Sequence, residues 1–305
     1  MNAATPPERR SVGVIGLGRM GLPIAQNLLE RGFAVIGYRR SGSPELKSAG
    51  GVVAGSPAEV AAGSEVLISI LPDIAAVEQV VTGLDGILSA LRPGTVHLEM
   101  STVDAGRKRL LRDAVRKHGG DLLDAPISGS PGMVRPRRTT VFASGEEASI
   151  EQIRDVLDAV AGSWVNTGEF GNGATMKYIS GMLMASHTVA AAEAMVTARR
   201  AGLDLELVQR TLDNSIAGSA LLAQRGPVMR ERSWVPAPGP VETLHAILEQ
   251  AEKYVGALGL VAPVFAASKE VFDNAVADGW SELDIACVHD QIAGRQALDG
   301  TGGVA

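Results

Sequence analysis

The sequence predicts an α/β protein: a doubly wound parallel sheet in the first half, then a long interdomain helix, then an all-helical domain. Three observations predict it. A glycine turn joins a strand-like run to a helix-like run near the start, strand-length and helix-length segments alternate through the first half, and strand-like runs disappear after Gly168. The boundaries read as a flexible arm over 1–10, a first domain over 11–167, the long helix over 168–201, a helical domain over 202–298 and a flexible tail over 299–305.

The glycine turn comes first. Residues 12–21 read V-G-V-I-G-L-G-R-M-G, a buried-strand pattern running straight into G-x-G-x-x-G. In that arrangement Gly16 permits the tight turn, Gly18 lets the backbone approach a pyrophosphate, and Gly21 lets the following helix pack closely on the sheet. The unpaired N–H groups of that helix's first turn, with the positive end of its dipole, offer an anion site without a basic side chain. A G-x-G-x-x-G alone is weak evidence. Here an apolar run precedes it and Leu22, Ala25, Leu28 and Leu29 follow at helical spacing, so both flanks agree with a dinucleotide-binding turn.

Further strands are read at 34–38, 66–70, 96–99 and 122–124, with later ones at 139–143 and 163–165. Helical patterns at 74–81 and 105–117 lie between them, and Pro57, Pro72 and Pro93 with nearby glycines mark the joins. That alternation implies a parallel sheet. Beyond it Ala, Met and Leu recur at helical spacing as far as Gly202, which suits a helix C-cap. A helix over 173–201 is about 40 Å long at 1.5 Å per residue, enough to bridge two domains. Helices follow around 205–213, 241–258 and 263–277.

A chain of 305 residues has room for two domains. Its net charge of -6 argues against bulk attraction to nucleic acid or an anionic membrane. Cys287 is the single cysteine, so no intrachain disulfide and no cysteine-rich metal site is available, which fits a reducing, cytoplasmic setting. The first residues carry a Pro pair and charges rather than a secretory core, and apolar stretches are interrupted well short of the roughly 20 residues a membrane span needs.

The end of the second strand speaks to the choice of nucleotide. An acidic residue there would hydrogen-bond the adenosine ribose of NAD, but the chain reads Tyr38, Arg39, Arg40, Ser41. Two guanidiniums and a hydroxyl suit a 2′-phosphate that a carboxylate would repel, so NADP is expected, with NAD disfavoured. For a proton donor the chain offers Lys177, in G-N-G-A-T-M-K-Y-I-S-G near the start of the long helix. Ser180 and Gly181 lie one turn on and share its face, leaving room for a substrate. A lysine in an apolar cleft has its pKa moved from about 10.4 towards 7 or 8, the range useful for proton transfer.

Taken together, the turn G-L-G-R-M-G, Leu71-Pro72 after the strand at 66–70, Ser101-Thr102 after the next, D-A-P-I-S-G-S at 124–130 and the Lys177 segment resemble the β-hydroxyacid dehydrogenases, in order along most of the chain. The resemblance implies a Rossmann-type domain, a helical domain for substrate and dimerisation, and reversible oxidation of a 3-hydroxy acid. It implies that Lys177 is the general acid and base and that Ser128, Gly129 and Ser130 hold the substrate carboxylate, with Ser180 and Gly181 nearby. It also implies that Arg19, Met20, Leu71, Pro72 and Thr102 join the three glycines, Arg39, Arg40 and Ser41 around the nucleotide.

The chain departs from the family at identifiable places. The family's K-x-x-N-N reads Lys177-Tyr-Ile-Ser180-Gly181, and its later Lys-Asp pair falls near Ala246 and Ile247, beside His245, which implies a larger and less polar pocket. After the substrate loop comes Arg135-Pro-Arg137-Arg138, able to meet an anionic substrate tail or to be a solvated run. Two rival readings follow: imine reductase-like C=N reduction, in a group that generally lacks this lysine, and a non-catalytic dinucleotide-dependent binding protein. His187 and Glu193, six apart on the long helix, face different ways and form no metal pair, with His187 expected to pack or cap. Asp284 reads as structural or superficial. A long helix so rich in Ala and Met has more apolar face than one small domain covers, so a homodimer or higher homo-oligomer is expected, with a small-molecule substrate and no nucleic-acid or membrane partner.

Overall fold

The computed structural model describes residues 9–294, so the tail expected at 299–305, and the arm expected at 1–10 except Arg9 and Arg10, lie outside the described residues. Two compact units part after Lys177. In the first, strands β1 (Ser11–Ile15), β2 (Ala34–Tyr38), β3 (Val52–Val53), β4 (Val66–Ser69), β5 (Val96–Glu99) and β6 (Asp121–Asp124) form one sheet in the order β3-β2-β1-β4-β5-β6. Every pair is parallel, with Val12 beside both Val35 and Val66. The order reverses at β1 and β4, which leaves a crevice beyond their carboxyl ends.

Strand alternation gives each face of this sheet its own core. Val12, Val14, Val66, Ile68, Val96 and Leu98 pack on one side with Ile24, Leu28, Val156 and Leu157, while Ile15 and Leu67 turn to the other, with Val60, Val77, Leu111 and Val115. The helices of the first half are α1 (Gly21–Glu30), α2 (Pro44–Ser48), α3 (Pro57–Gly63), α4 (Ile74–Thr82) and α5 (Ala105–Lys117). Four of them start where side-chain oxygens of Ser43, Ser56, Asp73 and Asp104 accept a backbone N–H three residues on, and α2 and α3 also begin with proline. No side chain caps α1.

The later strands do not extend the parallel sheet. β7 (Ile127–Ser128), β8 (Thr140–Ala143) and β9 (Ser163–Asn166) form a separate sheet, β7 antiparallel to β8 and β8 parallel to β9, with α6 (Pro131–Val134), α7 (Glu147–Gln152) and α8 (Arg154–Val160) between them. The connection from β7 through Gly129 and α6 is too short for a crossover, so β8 returns antiparallel.

Helix α9 (Asn172–Arg200) begins in the first unit and continues into the second. By length and composition it is apolar enough to cross a membrane, but Ala185, Ala192, Met195 and Val196 are buried in the protein, as in the core helix of a globular unit. The second unit adds α10 (Leu205–Asp213), α11 (Ala220–Glu231), α12 (Val241–Ala257), α13 (Pro263–Ala277) and α14 (Val288–Ile292). In α12 the buried residues Val241, Leu244, Ile247, Leu248, Ala251 and Val255 repeat at helical period. Helix α11 is not among those expected from the sequence, and it carries Gly226 and Pro227 within it. Gly226 sits there because a Cβ would lie 2.7 Å from the Gln209 side chain of α10.

Candidate active site

A groove of ≈ 980 Å³ runs over the carboxyl ends of β1, β2 and β4, lined among others by Gly16, Gly18, Arg39, Arg40, Leu71 and Pro72. The three glycines have different reasons to be glycine. Gly16 has φ +97° and a Cβ there would lie 2.2 Å from the Ile70 carbonyl oxygen; a Cβ on Gly21 would lie 2.0 Å from the Gly16 carbonyl oxygen. The chain itself requires those two. At Gly18 a Cβ meets nothing within 4 Å, and the residue faces the groove, so its bareness leaves space beside the uncapped start of α1. That cradle and helix N-terminus fit a pyrophosphate.

Arg39 and Arg40 are exposed on the groove, and among the described residues no carboxylate pairs with either. Ser41 follows them and is exposed. Arg19, Met20 and Thr102 are not among the residues lining this groove, although Thr102 follows Ser101, whose Oγ accepts the Leu71 N–H at 2.8 Å.

Lys177 lies on the sixth residue of α9 and is buried, and its Nζ donates to the Ile127 carbonyl at 2.9 Å. Ile127 precedes Ser128, Gly129 and Ser130, so the structure brings the lysine to the loop expected to hold a carboxylate. Gly129 has φ +136°, and a Cβ there would lie 2.7 Å from Thr139 Cγ2. Burial pushes the Lys177 pKa down to about 8. The start of its helix is anchored twice. Asp124 Oδ2 accepts the Ala174 N–H at 2.7 Å, and Ser144 Oγ accepts the Gly173 N–H at 3.0 Å.

Behind this anchor is a buried ion cluster that the sequence reading missed. Lys108 Nζ lies 2.8 Å from Asp124 Oδ1 and 2.5 Å from Glu99 Oε2, and donates to the Ser101 carbonyl at 2.5 Å; all three charged side chains are 0% exposed. Burial alone would lower the Lys108 pKa, but Asp124 and Glu99 override it and hold the group above its ordinary value. Burial holds nearby His97 down to about 3, with Lys108 adding to the effect. A signal was available, since Lys108 shares the buried stripe of α5 with Leu111 and Val115.

Several expectations meet other uses of the same residues. Arg135 hydrogen-bonds Asn27 at 2.6 Å and pairs with Glu30, and Arg137 donates to the Asp158 and Ala161 carbonyls, so both are engaged in structural contacts. In the second unit the space beside Gly181 is not open: a Cβ there would lie 2.5 Å from Ile247 Cγ2. Ser180 is half-buried. His187 is exposed rather than packed, Glu193 is exposed too, and the described residues contain no group that would hold a metal ion. Asp284 is buried and structural, pairing with Arg225 at 3.1 Å and capping the turn Ile285–Cys287. Lys269 of α13 contacts Asp273 at 2.8 Å and Glu252 at 3.2 Å, and Asp273 also meets His245 at 2.8 Å.

Residues 11–168 match the family described as the NAD binding domain of 6-phosphogluconate dehydrogenase, and 171–290 match that described as the NAD-binding of NADP-dependent 3-hydroxyisobutyrate dehydrogenase. The chain is 31% identical over 283 residues to glyoxylate/succinic semialdehyde reductase 1 of Arabidopsis thaliana, covering 92% of this chain and 98% of that protein. It is 32% identical over 250 residues to the mitochondrial 3-hydroxyisobutyrate dehydrogenase of Mus musculus, covering 81% and 71%. A crystal structure of 3-hydroxyisobutyrate dehydrogenase from Salmonella typhimurium is similar at a TM-score of 0.82 and 27% identity, over 92% of this chain and 99% of that one.

Proposed function

The chain belongs to the β-hydroxyacid dehydrogenase superfamily, a family of NAD(P)-dependent dehydrogenases, and on that premise we propose that it is an NADP-dependent oxidoreductase interconverting a small 3-hydroxy acid and its semialdehyde or a related carbonyl. The observation that carries this reading is the buried Lys177 ammonium, held by the Ile127 carbonyl next to the loop Ser128, Gly129 and Ser130. The relatives named for succinic semialdehyde and 3-hydroxyisobutyrate support a short carbonyl acid as substrate.

A bound NADPH supplies hydride from its nicotinamide ring. Gly16, Gly18 and the start of α1 would hold its pyrophosphate, with Arg39, Arg40 and Ser41 at the 2′-phosphate and Leu71 and Pro72 beside it. The Ser128 hydroxyl and the backbone N–H groups of Gly129 and Ser130 hold the substrate carboxylate. Lys177 Nζ gives its proton to the carbonyl oxygen as that carbon is reduced, and takes it back in oxidation. The family resemblance and the exposed apolar residues Met176, Ile179 and Leu183 along α9 support a homodimer or higher homo-oligomer, checked by light scattering at micromolar concentration.

The decisive experiment follows NADPH and NADH oxidation against small semialdehydes, 2-oxo acids, anionic aldehydes and cyclic imines. Turnover of a semialdehyde or oxo acid, faster with NADPH, is expected. Turnover of cyclic imines alone assigns C=N reduction instead, and tight nucleotide binding with no turnover assigns a non-catalytic binder.

A further inference from the structure

The buried ion cluster joins β5, α5 and β6 to the start of α9, the helix that carries Lys177. Glu99 ends β5 and its Oε1 accepts the Ser101 N–H at 2.9 Å; Ser101 Oγ in turn accepts from Leu71, which lines the groove. Asp124 ends β6 and is used on both sides. One carboxylate oxygen meets Lys108, the other receives the Ala174 N–H at the start of α9, three residues before Lys177. From the end of β6 the chain runs through Ala125 and Pro126 to Ile127 at the start of β7, whose carbonyl receives Lys177 Nζ. Gly173 leaves no slack, since a Cβ there would lie 2.4 Å from the Phe142 carbonyl oxygen and 2.7 Å from that of Asp124.

We propose that Lys108 is a positioning residue for Lys177: its ammonium holds the Asp124 carboxylate in place, and Asp124 fixes the helix start that carries Lys177 to the Ile127 carbonyl. This rests on the reading of Lys177 as the proton donor. The titratable groups facing the ammonium are His97 and Glu99 on β5 and Asp124 on β6. His97 is neutral at working pH, so the charges in balance are one ammonium against two carboxylates, with the positive end of α9 beside Asp124. Without the ammonium, the buried Asp124 carboxylate loses both its counter-charge and its tether to α5. An untethered Asp124 holds the α9 backbone less firmly.

The test is Lys108→Met in the full-length protein, assayed with the carbonyl substrate found above. Four readouts apply: kcat, the KM for NADPH, the pH profile of kcat, and amide hydrogen exchange over residues 171–177. Expected are a loss of kcat of at least tenfold, a KM for NADPH within twofold of the parent, an alkaline limb displaced by half a pH unit or more, and faster exchange over 171–177. If Lys108→Met does not accumulate as folded protein, Asp124→Asn carries the same expectations, because one amide oxygen cannot serve both Lys108 and Ala174. Glu99→Gln leaves Lys108 on Asp124 and is expected to leave that exchange unchanged.

Parent-like exchange with a parent-like pH limb, in either Lys108→Met or Asp124→Asn, overturns the proposal. So does a loss confined to the KM for NADPH. If Lys177→Ala still turns over, the reading of Lys177 fails by itself, and the exchange measurement still decides whether Lys108 holds the start of α9.

Discussion

Lys177 and Lys108 are both buried in the first unit, and their surroundings push them in opposite directions. Lys108 lies between two carboxylates that outweigh its desolvation, so it stays charged at any working pH. Lys177 donates to the Ile127 carbonyl oxygen, so desolvation prevails and its proton is held weakly enough to be exchanged. Burial therefore does not tell a structural lysine from a chemical one; the charge of its partners does. The arginines repeat the contrast on the surface. Arg135 is occupied by Glu30 and Asn27, whereas Arg39 and Arg40 face the groove without a carboxylate among the described residues.

The largest expected effect tests the chemical side of this contrast. Lys177→Ala should lower turnover by about 10²–10⁴-fold while NADPH binding, read by fluorescence titration, persists; a loss under about tenfold breaks the comparison. On the structural side, removing the Lys108 ammonium leaves two buried carboxylates uncompensated, and chemical denaturation of Lys108→Met should show a loss of about 3–5 kcal/mol. The arginine contrast is sharper in kinetics than in stability. Replacing Arg39 and Arg40 with Ala together should raise the KM for NADPH by about ten- to a hundredfold with little change for NADH, and equal effects on both would remove the NADP assignment.

The pH dependence comes next. Below about 8 Lys177 carries the proton that reduction needs, so the reduction rate should fall about tenfold per pH unit above that value, and oxidation should rise towards it. The smallest effect is Arg135→Ala, whose exposed pair with Glu30 contributes under about 1 kcal/mol, with kcat unchanged.

Local patterns made much of this legible. The strands over 34–38 and 96–99 and the helix over 105–117 stand where apolar periodicity puts them, because each buries one face on a neighbour in the same sheet unit. Gly16 was legible because its φ of +97° belongs to the turn itself, and Gly21 because its constraint, the Gly16 carbonyl, is local. What was not legible depends on contacts distant in sequence. The second sheet needs β7 to find β8, α11 carries Pro227 inside it, and the Lys108 cluster joins residues from β5, α5 and β6. Within the charge-rich α5, nothing but its position on the stripe distinguishes Lys108 from its basic neighbours.

The contact between Gly181 and Ile247 constrains the order in which this protein can change. An asparagine at 181 has no room while Ile247 stands, and shrinking Ile247 first opens a cavity that destabilises by about 0.5–1.5 kcal/mol for a single methylene and more for larger cuts. Neither single step is free, so the two positions are epistatic. A lineage or a directed-evolution campaign moving towards the family's amide must cross that valley by changing 247 before 181 or both at once, and libraries that randomise 181 alone should return glycine.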